Sequence, residues 1–407
     1  MEPQNPTPIA MPAAQAAPGL PPVTPPQGVG EVKKSSPLPL IIVIVGLIIA
    51  AIIFVIVKFV IPGIGGGGGT SSGEITWWDL WEDSSVVEPL ITEYEESHPN
   101  IKVNYVAQSK EDYRERLANA LAKGTGPDIF TFHNSWVPMF KTNLDPVPAS
   151  VMSAADFSKT FYPVAISDLT SGTSILGVPL MYDGLTLYIN QDIFETQGKV
   201  VPTTWDELRE TAIALTIKDE VGTIKQAGVA LGRTENVDHW QEILALMMLQ
   251  NRARLESPMG PLAEAALTYY TLFSSSDGVW DATLPNSTQA FANGTLAMYF
   301  GPSWEAFQIG AINPNLKFKM VPVPQLPKDN PSEPNIAYAT YWVEGVNNKS
   351  KAKSAAWDFL EFLSSSESLQ KMYQNVSRTR TFGEPYPRVD MASLVSSDQN
   401  ATAVISQ

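Results

Sequence analysis

The sequence predicts an α/β fold built on a parallel sheet and preceded by one N-terminal transmembrane helix. Three observations carry this reading. Residues 74–132 alternate strand and helix signals in the order β-α-β-α-β. Residues 38–57 form an uninterrupted apolar run without a charge. Between the two lies PGIGGGGGTSSG (62–73), too rich in glycine to pack.

Taken in order, residues 1–37 come first. Nine of the first 30 are proline, set among few large apolar groups. Such a stretch cannot bury enough surface to offset its ordering entropy, so it is expected to be a disordered tail with polyproline character. Residues 38–61, LPLIIVIVGLIIAAIIFVIVKFVI, follow. Twenty uncharged residues at 1.5 Å each reach about 30 Å, the hydrocarbon thickness of a bilayer. A buried core helix is rarely apolar on every face over this length. A cleaved signal peptide would have a shorter apolar run nearer the start. Lys33 and Lys34 precede the span and only Lys58 lies at its far end. The positive-inside rule then puts the N-terminus in the cytoplasm and the rest of the chain outside. Residues 62–73 contain a literal G-x-G-x-x-G at Gly63, Gly65 and Gly68, but no helix signal follows, so a dinucleotide site is not expected. As a coil they form a tether of roughly 20 Å.

The chain of 407 residues holds 42 acidic and 27 basic residues, a net charge of −15. Residues 74–407 carry −16 of it. That excludes nucleic acid as a partner, because phosphate neutralisation needs Lys and Arg. There is no cysteine, which excludes disulfides, thiol nucleophiles, thiolate metal sites and a lipidated N-terminal cysteine. Three histidines argue against a His-rich metal site, and no cofactor is expected. No GxSxG, HExxH, P-loop or calcium-loop pattern is present, so the chain is not expected to be an enzyme.

Within 74–132, EITWWDL (74–80) reads as a strand and SSVVEPLITEYEESHP (84–99) as a helix. IKVNYVAQ (101–108) is a strand, SKEDYRERLANALAKG (109–124) an amphipathic helix, and PDIFTF (127–132) a strand. In parallel sheets of this kind ligands sit beyond the carboxyl ends of the strands, here Trp78–Asp83 and Phe132–Trp136. Further on, ILGVPLMYDGLTLYIN (175–190) is two apolar runs broken at Tyr182–Asp183–Gly184. VPTTWDELRETAIAL (201–215) opens a helix with a capping box, Thr204 and Glu207. Residues 286–304 read helix, glycine turn, strand; 317–327 a strand and a proline-rich loop; 349–374 one or two helices.

Six landmarks, in order, make the chain resemble bacterial extracellular solute-binding proteins of the maltose-binding type, the receptor subunits of ATP-driven sugar importers. They are the Trp-bearing first strand, KGTGPDIF (123–130), GVPLMYDGLTLYINQDIF (177–194), PTTWDEL (202–208), FANGTLAMYFGPSW (291–304) and AAWDFLEFL (355–363). The resemblance implies the two-lobed periplasmic-binding-protein type II fold with hinge crossovers near Tyr182–Leu185 and Ala337–Val343. Lobe one would be 74–182 and 343–390, and lobe two 185–337 with 391–407 as an incomplete C-terminal end. Such proteins usually continue with further helices, so the resemblance implies a fragment or an atypical C-terminus. The implied function is the substrate-binding subunit of an ABC importer, acting as a monomer. It would capture an oligosaccharide or similar polyol and hand it to permease subunits with a cytoplasmic ATPase. The alternatives are a membrane-anchored carbohydrate sensor or adhesion module, and a glycoside-processing enzyme.

A sugar offers flat C–H faces and a ring of hydroxyls, so a pocket for it needs aromatic platforms with a few polar groups. Trp304 matches a stacking position of the family, with Ser303 beside it as a donor. Asp183 matches an acidic residue at the first crossover, next to Tyr182; alone it would also serve as a turn residue before Gly184. His133, Asn134 and Trp136 follow the PDIFTF strand, Trp81 and Glu82 close the first strand, and Tyr341 and Trp342 lie at the second crossover. Asp83 reads as a helix N-cap. Trp240, with Asn236 and His239, completes the set. The arginines fall mostly on helix faces, which favours a neutral sugar over a phosphorylated ligand.

Overall fold

A computed structural model describes residues 73–407 apart from 329, 331, 379–384 and 396–398. Contacts divide the chain into two units, 1–69 and 70–407, and the described residues all belong to the second. The expected tail, membrane span and most of the tether lie outside the described residues. Among the described residues no helix is long and apolar enough to cross a membrane.

The first sheet forms as the alternation requires. Strand Gly73–Asp79 pairs in parallel with Ile101–Ala107 on one side and Ile129–His133 on the other, with Trp77 opposite both Tyr105 and Ile129. The helices between them, Ser84–Ser97 and Tyr113–Lys123, bury Val86, Val87, Leu90, Tyr94, Leu117 and Leu121 against the sheet. Asp83 caps the first helix by accepting from the Ser85 N–H. The second ends at Gly124, whose φ of 72° suits a residue without a Cβ. A late strand, Trp342–Asn347, joins antiparallel to Ile129–His133 with Glu344 opposite Thr131.

The second sheet runs in the order Phe318–Val321, Leu185–Asn190, Leu296–Pro302, Ile224–Val229, Ile217–Lys218. Its central strands, LTLYIN and LAMYFGP, are buried at every residue. Such strands are covered on both faces and read as continuous apolar runs. The expected capping box is present: Thr204 accepts from the Glu207 N–H while the Glu207 carboxylate accepts from Thr204 N–H. Gly228 is obligatory for the packing here, since a Cβ on it would stand 1.9 Å from the Ala212 carbonyl oxygen.

Each sheet has its own core. One gathers side chains from Ile75 to Leu180 and from Tyr341 to Val395; the other from Leu185 to Val323, with Ala403. Two crossovers join them side by side. Leu185 N–H donates to Tyr338 O (2.9 Å) and Thr340 N–H to Asp183 O (3.0 Å). The C-terminal stretch divides between the lobes. Met391 and Val395 pack in the first core, whereas Gln407 clasps the second sheet through Val323 N–H and Leu185 O. Residues 391–407 are therefore not wholly part of lobe two, because the apolar face of Val389–Val395 is turned toward Phe157 and its neighbours.

Candidate functional site

Beside the two crossovers the lobes enclose a hollow of about 220 Å³. The loop after the first strand supplies Trp81, and the start of the Trp342–Asn347 strand supplies Trp342. Trp304 comes from the other lobe, at the turn where strand Leu296–Pro302 passes into helix Glu305–Ile312. The Trp81 and Trp304 rings face each other at 6.4 Å, 24° from parallel. Trp342 stands edge-on to Trp81 at 5.2 Å. Met181, Asp183, Phe307, Gln308, Thr340 and Tyr341 complete the wall, with Lys110 at the exposed rim. Other hollows of about 230–450 Å³ are lined by residues of lobe two alone, without this concentration of indoles. The cleft is therefore the candidate site.

Asp183 lines the hollow but is almost wholly committed to the protein. Its Oδ1 accepts from Ser303 N–H (3.0 Å) and Gly184 N–H (2.7 Å). Its Oδ2 accepts from Ser303 Oγ–H (2.9 Å) and Trp304 N–H (3.4 Å). Burial pushes the carboxyl up to about 7, against the pull of these donors. Ser303 is buried and its hydroxyl is spent on Asp183. The expected hydroxyl acceptor and donor thus face each other, and together they hold the turn that presents Trp304.

Tyr341 also lines the hollow, and the other expected residues form a supporting layer behind it. Asn134 donates to Asp168 Oδ2 (2.8 Å) and its carbonyl faces Tyr341 N–H (3.4 Å). Tyr341 OH donates to the same Asp168 oxygen (3.1 Å), and burial with this carboxylate raises the phenol far above its usual range. Tyr182 packs on Tyr162 (4.6 Å) and Tyr341 (5.8 Å). His133 and Trp136 buttress Trp342 at 5.2 and 5.3 Å. Burial lowers His133 to about 4, so it is neutral and bonds Thr340 Oγ1 (2.9 Å) and Ser135 Oγ (2.7 Å). Glu82 is buried, and its carbonyl accepts from Tyr105 OH. Trp240 opens a helix of lobe two and packs on that core; it does not line the hollow. Asn236 is bonded to Asp281 O and Leu284 O, away from the cleft.

Sequence reading missed Phe307 and Gln308, although they stand three and four residues after Trp304, the spacing of one helix face. It also missed Glu242 and Glu305. His239 Nε2 bonds Glu305 Oε1 at 3.1 Å, and Glu242 Oε1 lies 4.0 Å from Nδ1. Burial opposes charge on His239, but the two carboxylates raise it to about 9. The ring meets Trp304 edge-on at 5.8 Å.

Under the Trp342 strand lies a second polar cluster. Thr131 Oγ1 is 2.7 Å from Asp79 Oδ1 and 2.6 Å from Glu344 Oε1. A hydroxyl has one proton, so one of these contacts needs a protonated carboxyl. Glu344 is that group: burial and the Asp79 charge drive its carboxyl far above the usual range. It donates from Oε1 to Thr131, which donates to Asp79, while Glu344 Oε2 accepts from Trp77 Nε1–H (2.9 Å).

Residues 77–370 match the profile of bacterial extracellular solute-binding proteins. The chain belongs to this family. A binding protein of Brucella abortus (strain 2308) is 25% identical to this solute-binding protein over 295 residues, 69% of each chain. Among solved structures, a cyclo/maltodextrin-binding protein complexed with maltotetraose shares its fold with a TM-score of 0.66 at 16% identity, covering 84% of this chain and 86% of that one. An ABC transporter solute-binding protein from Thermotoga lettingae TMO, bound with α-D-tagatose, gives 0.64 at 21% identity over 82% and 87%.

Proposed function

We propose that this solute-binding protein captures a saccharide between its two lobes and delivers it to the permease of an ABC importer. The observation that carries the proposal is the set of three indoles, Trp81 and Trp342 from one lobe and Trp304 from the other, around one hollow. Indole faces suit the C–H faces of a pyranose, and indoles from both lobes border the same hollow. The maltotetraose and tagatose complexes of the fold's neighbours support the ligand class. Relatives that are binding proteins support a receptor without catalysis. The apolar run 38–61 would anchor the receptor, as a monomer on the outer face of the membrane, at high local concentration beside its transporter.

The test is isothermal titration of the full chain, kept in mild detergent, against a panel of mono- and oligosaccharides. One saccharide group is expected to bind, and Trp304→Ala to weaken it about tenfold or more, the scale of losing an aromatic anchor. If a folded protein bound no saccharide, or Trp304→Ala bound as tightly as the parent, the proposal would fail.

A further inference from the structure

We infer that His239 is a positioning residue for the cleft: through Glu305 it holds the turn that presents Trp304 to the ligand. The inference rests on the saccharide reading above and adds to it a residue that does not itself line the hollow. His239 Nε2 bonds Glu305 Oε1 at 3.1 Å. Glu305 directly follows Trp304 and opens helix Glu305–Ile312. Glu305 is 4% exposed, and its Oε2 has no hydrogen-bond partner. Among the described residues His239 is therefore the one hydrogen-bond partner of this carboxylate. The imidazole also meets the Trp304 indole edge-on, with 5.8 Å between ring centres. One side chain thus touches both the indole and the acid beside it. Asp183 holds the same turn independently, through Ser303 and the Trp304 N–H.

The backbone of His239 is left-handed, with φ 60° and ψ 20°. A residue with a Cβ keeps that conformation only where its surroundings over-determine it. His239 precedes helix Trp240–Gln250, but its side chain does not cap that helix. The ring is given instead to two acids: Glu305, and Glu242, whose Oε1 lies 4.0 Å from Nδ1. A buried carboxylate is costly unless a donor and a charge meet it, and an imidazolium supplies both. The other titratable groups around the ring are accounted for. Tyr299, from strand Leu296–Pro302, stands edge-on at 6.5 Å. Asp238, the preceding residue, is spent on Ser287 and Thr288. His133 and Tyr338 interact with Glu242 rather than with His239. Burial works against charge on His239, yet the two carboxylates raise it to about 9. The proton, and the clamp with it, is present through neutral pH and lost as pH rises through about 9.

The experiment places 5-fluorotryptophan in the full chain, kept in mild detergent, and follows its fluorine NMR signals with pH in the absence of ligand. The Trp304 signal is assigned by its loss in Trp304→Phe. It is expected to shift with the same midpoint as the His239 ring proton, near pH 9, and to lose that step in His239→Gln. Glutamine can still donate to Glu305 but has no proton to lose there. A residue that only supported the fold would lower the melting temperature without giving this one indole a pH step. Isothermal titration then takes the tightest binder among glucose, maltotriose, cellotriose and mannotriose. At neutral pH His239→Gln should bind it about five- to tenfold more weakly than the parent, the scale of coupling between residues in contact. A Trp304 signal indifferent to the His239 proton, or a folded His239→Gln that binds as tightly as the parent, would overturn this inference and leave the saccharide reading intact. If His239→Gln does not fold, the fluorine titration of the parent decides alone. Binding of none of the four sugars would overturn both.

Discussion

Asp183 sits at the first crossover with both carboxylate oxygens turned onto the backbone and hydroxyl of Ser303 and Trp304. It positions the Trp304 indole, which offers the ligand its flat surface. The two roles predict different phenotypes. Trp304→Ala should lower saccharide affinity and leave the ligand-free melt near that of the parent, since the ring is only partly buried. Asp183→Asn should lower both, because its amide nitrogen cannot accept from the Trp304 N–H or the Ser303 hydroxyl. Calorimetric melting without ligand separates them. An unchanged melt in Asp183→Asn would mean that the carboxylate acts on the ligand directly. At this scale the sequence was legible in residue type more than in role. Gly301 and Pro302 end the strand rather than form a turn, and Trp304 follows in the turn just after them. The pairing of Asp183 with Ser303, 120 residues apart, is set by how the lobes meet and leaves no local signal. The partners of Asn134 and Tyr341 on Asp168 are hidden for the same reason.

At the scale of elements, most of the first sheet was readable because each piece carries its own punctuation. Asp83 caps one helix, Gly124 ends the next, and the Thr204–Glu207 box starts a helix of lobe two. The Trp342–Asn347 strand was not readable as part of the first sheet from pattern alone. It lies some 200 residues beyond its partner Ile129–His133 and brings a glutamate into the core. That glutamate gives the element its testable property. Glu344 holds its proton in the folded state far above the ordinary carboxylate range. A carboxyl whose folded pKa is raised favours the fold while both states are protonated, and that contribution is lost as pH rises above the unfolded value of about 4.3. Lobe one should therefore become less stable toward alkaline pH. Glu344→Gln keeps both hydrogen bonds, with the amide N–H donating to Thr131 and the carbonyl accepting from Trp77. It is expected to fold and to flatten the alkaline decline. Glu344→Ala strands Trp77 Nε1–H and Thr131 and should cost about 2–4 kcal/mol. Chemical denaturation from pH 5 to 9 measures all three proteins; an alkaline slope equal in parent and Glu344→Gln would remove Glu344 as its source.

For the whole molecule, the two cores and the paired crossovers make lobe closure the natural motion. Hydrogen bonds between the two crossover strands tie them together without bridging the cleft. A ligand drives closure only by as much as it binds the closed arrangement better, and the indoles on opposite walls are what would supply that difference. The absence of cysteine allows two introduced ones to be labelled uniquely. The measurement that tests the central claim most directly is a spin-label distance between Glu115→Cys on lobe one and Thr234→Cys on lobe two, both exposed positions, with and without the saccharide found by titration. The distance distribution should collapse to one short population on saturation with ligand, and should not respond at the same concentration when Trp304→Ala is added. A distribution that ignores a bound saccharide, or that collapses equally in Trp304→Ala, would contradict capture between the lobes.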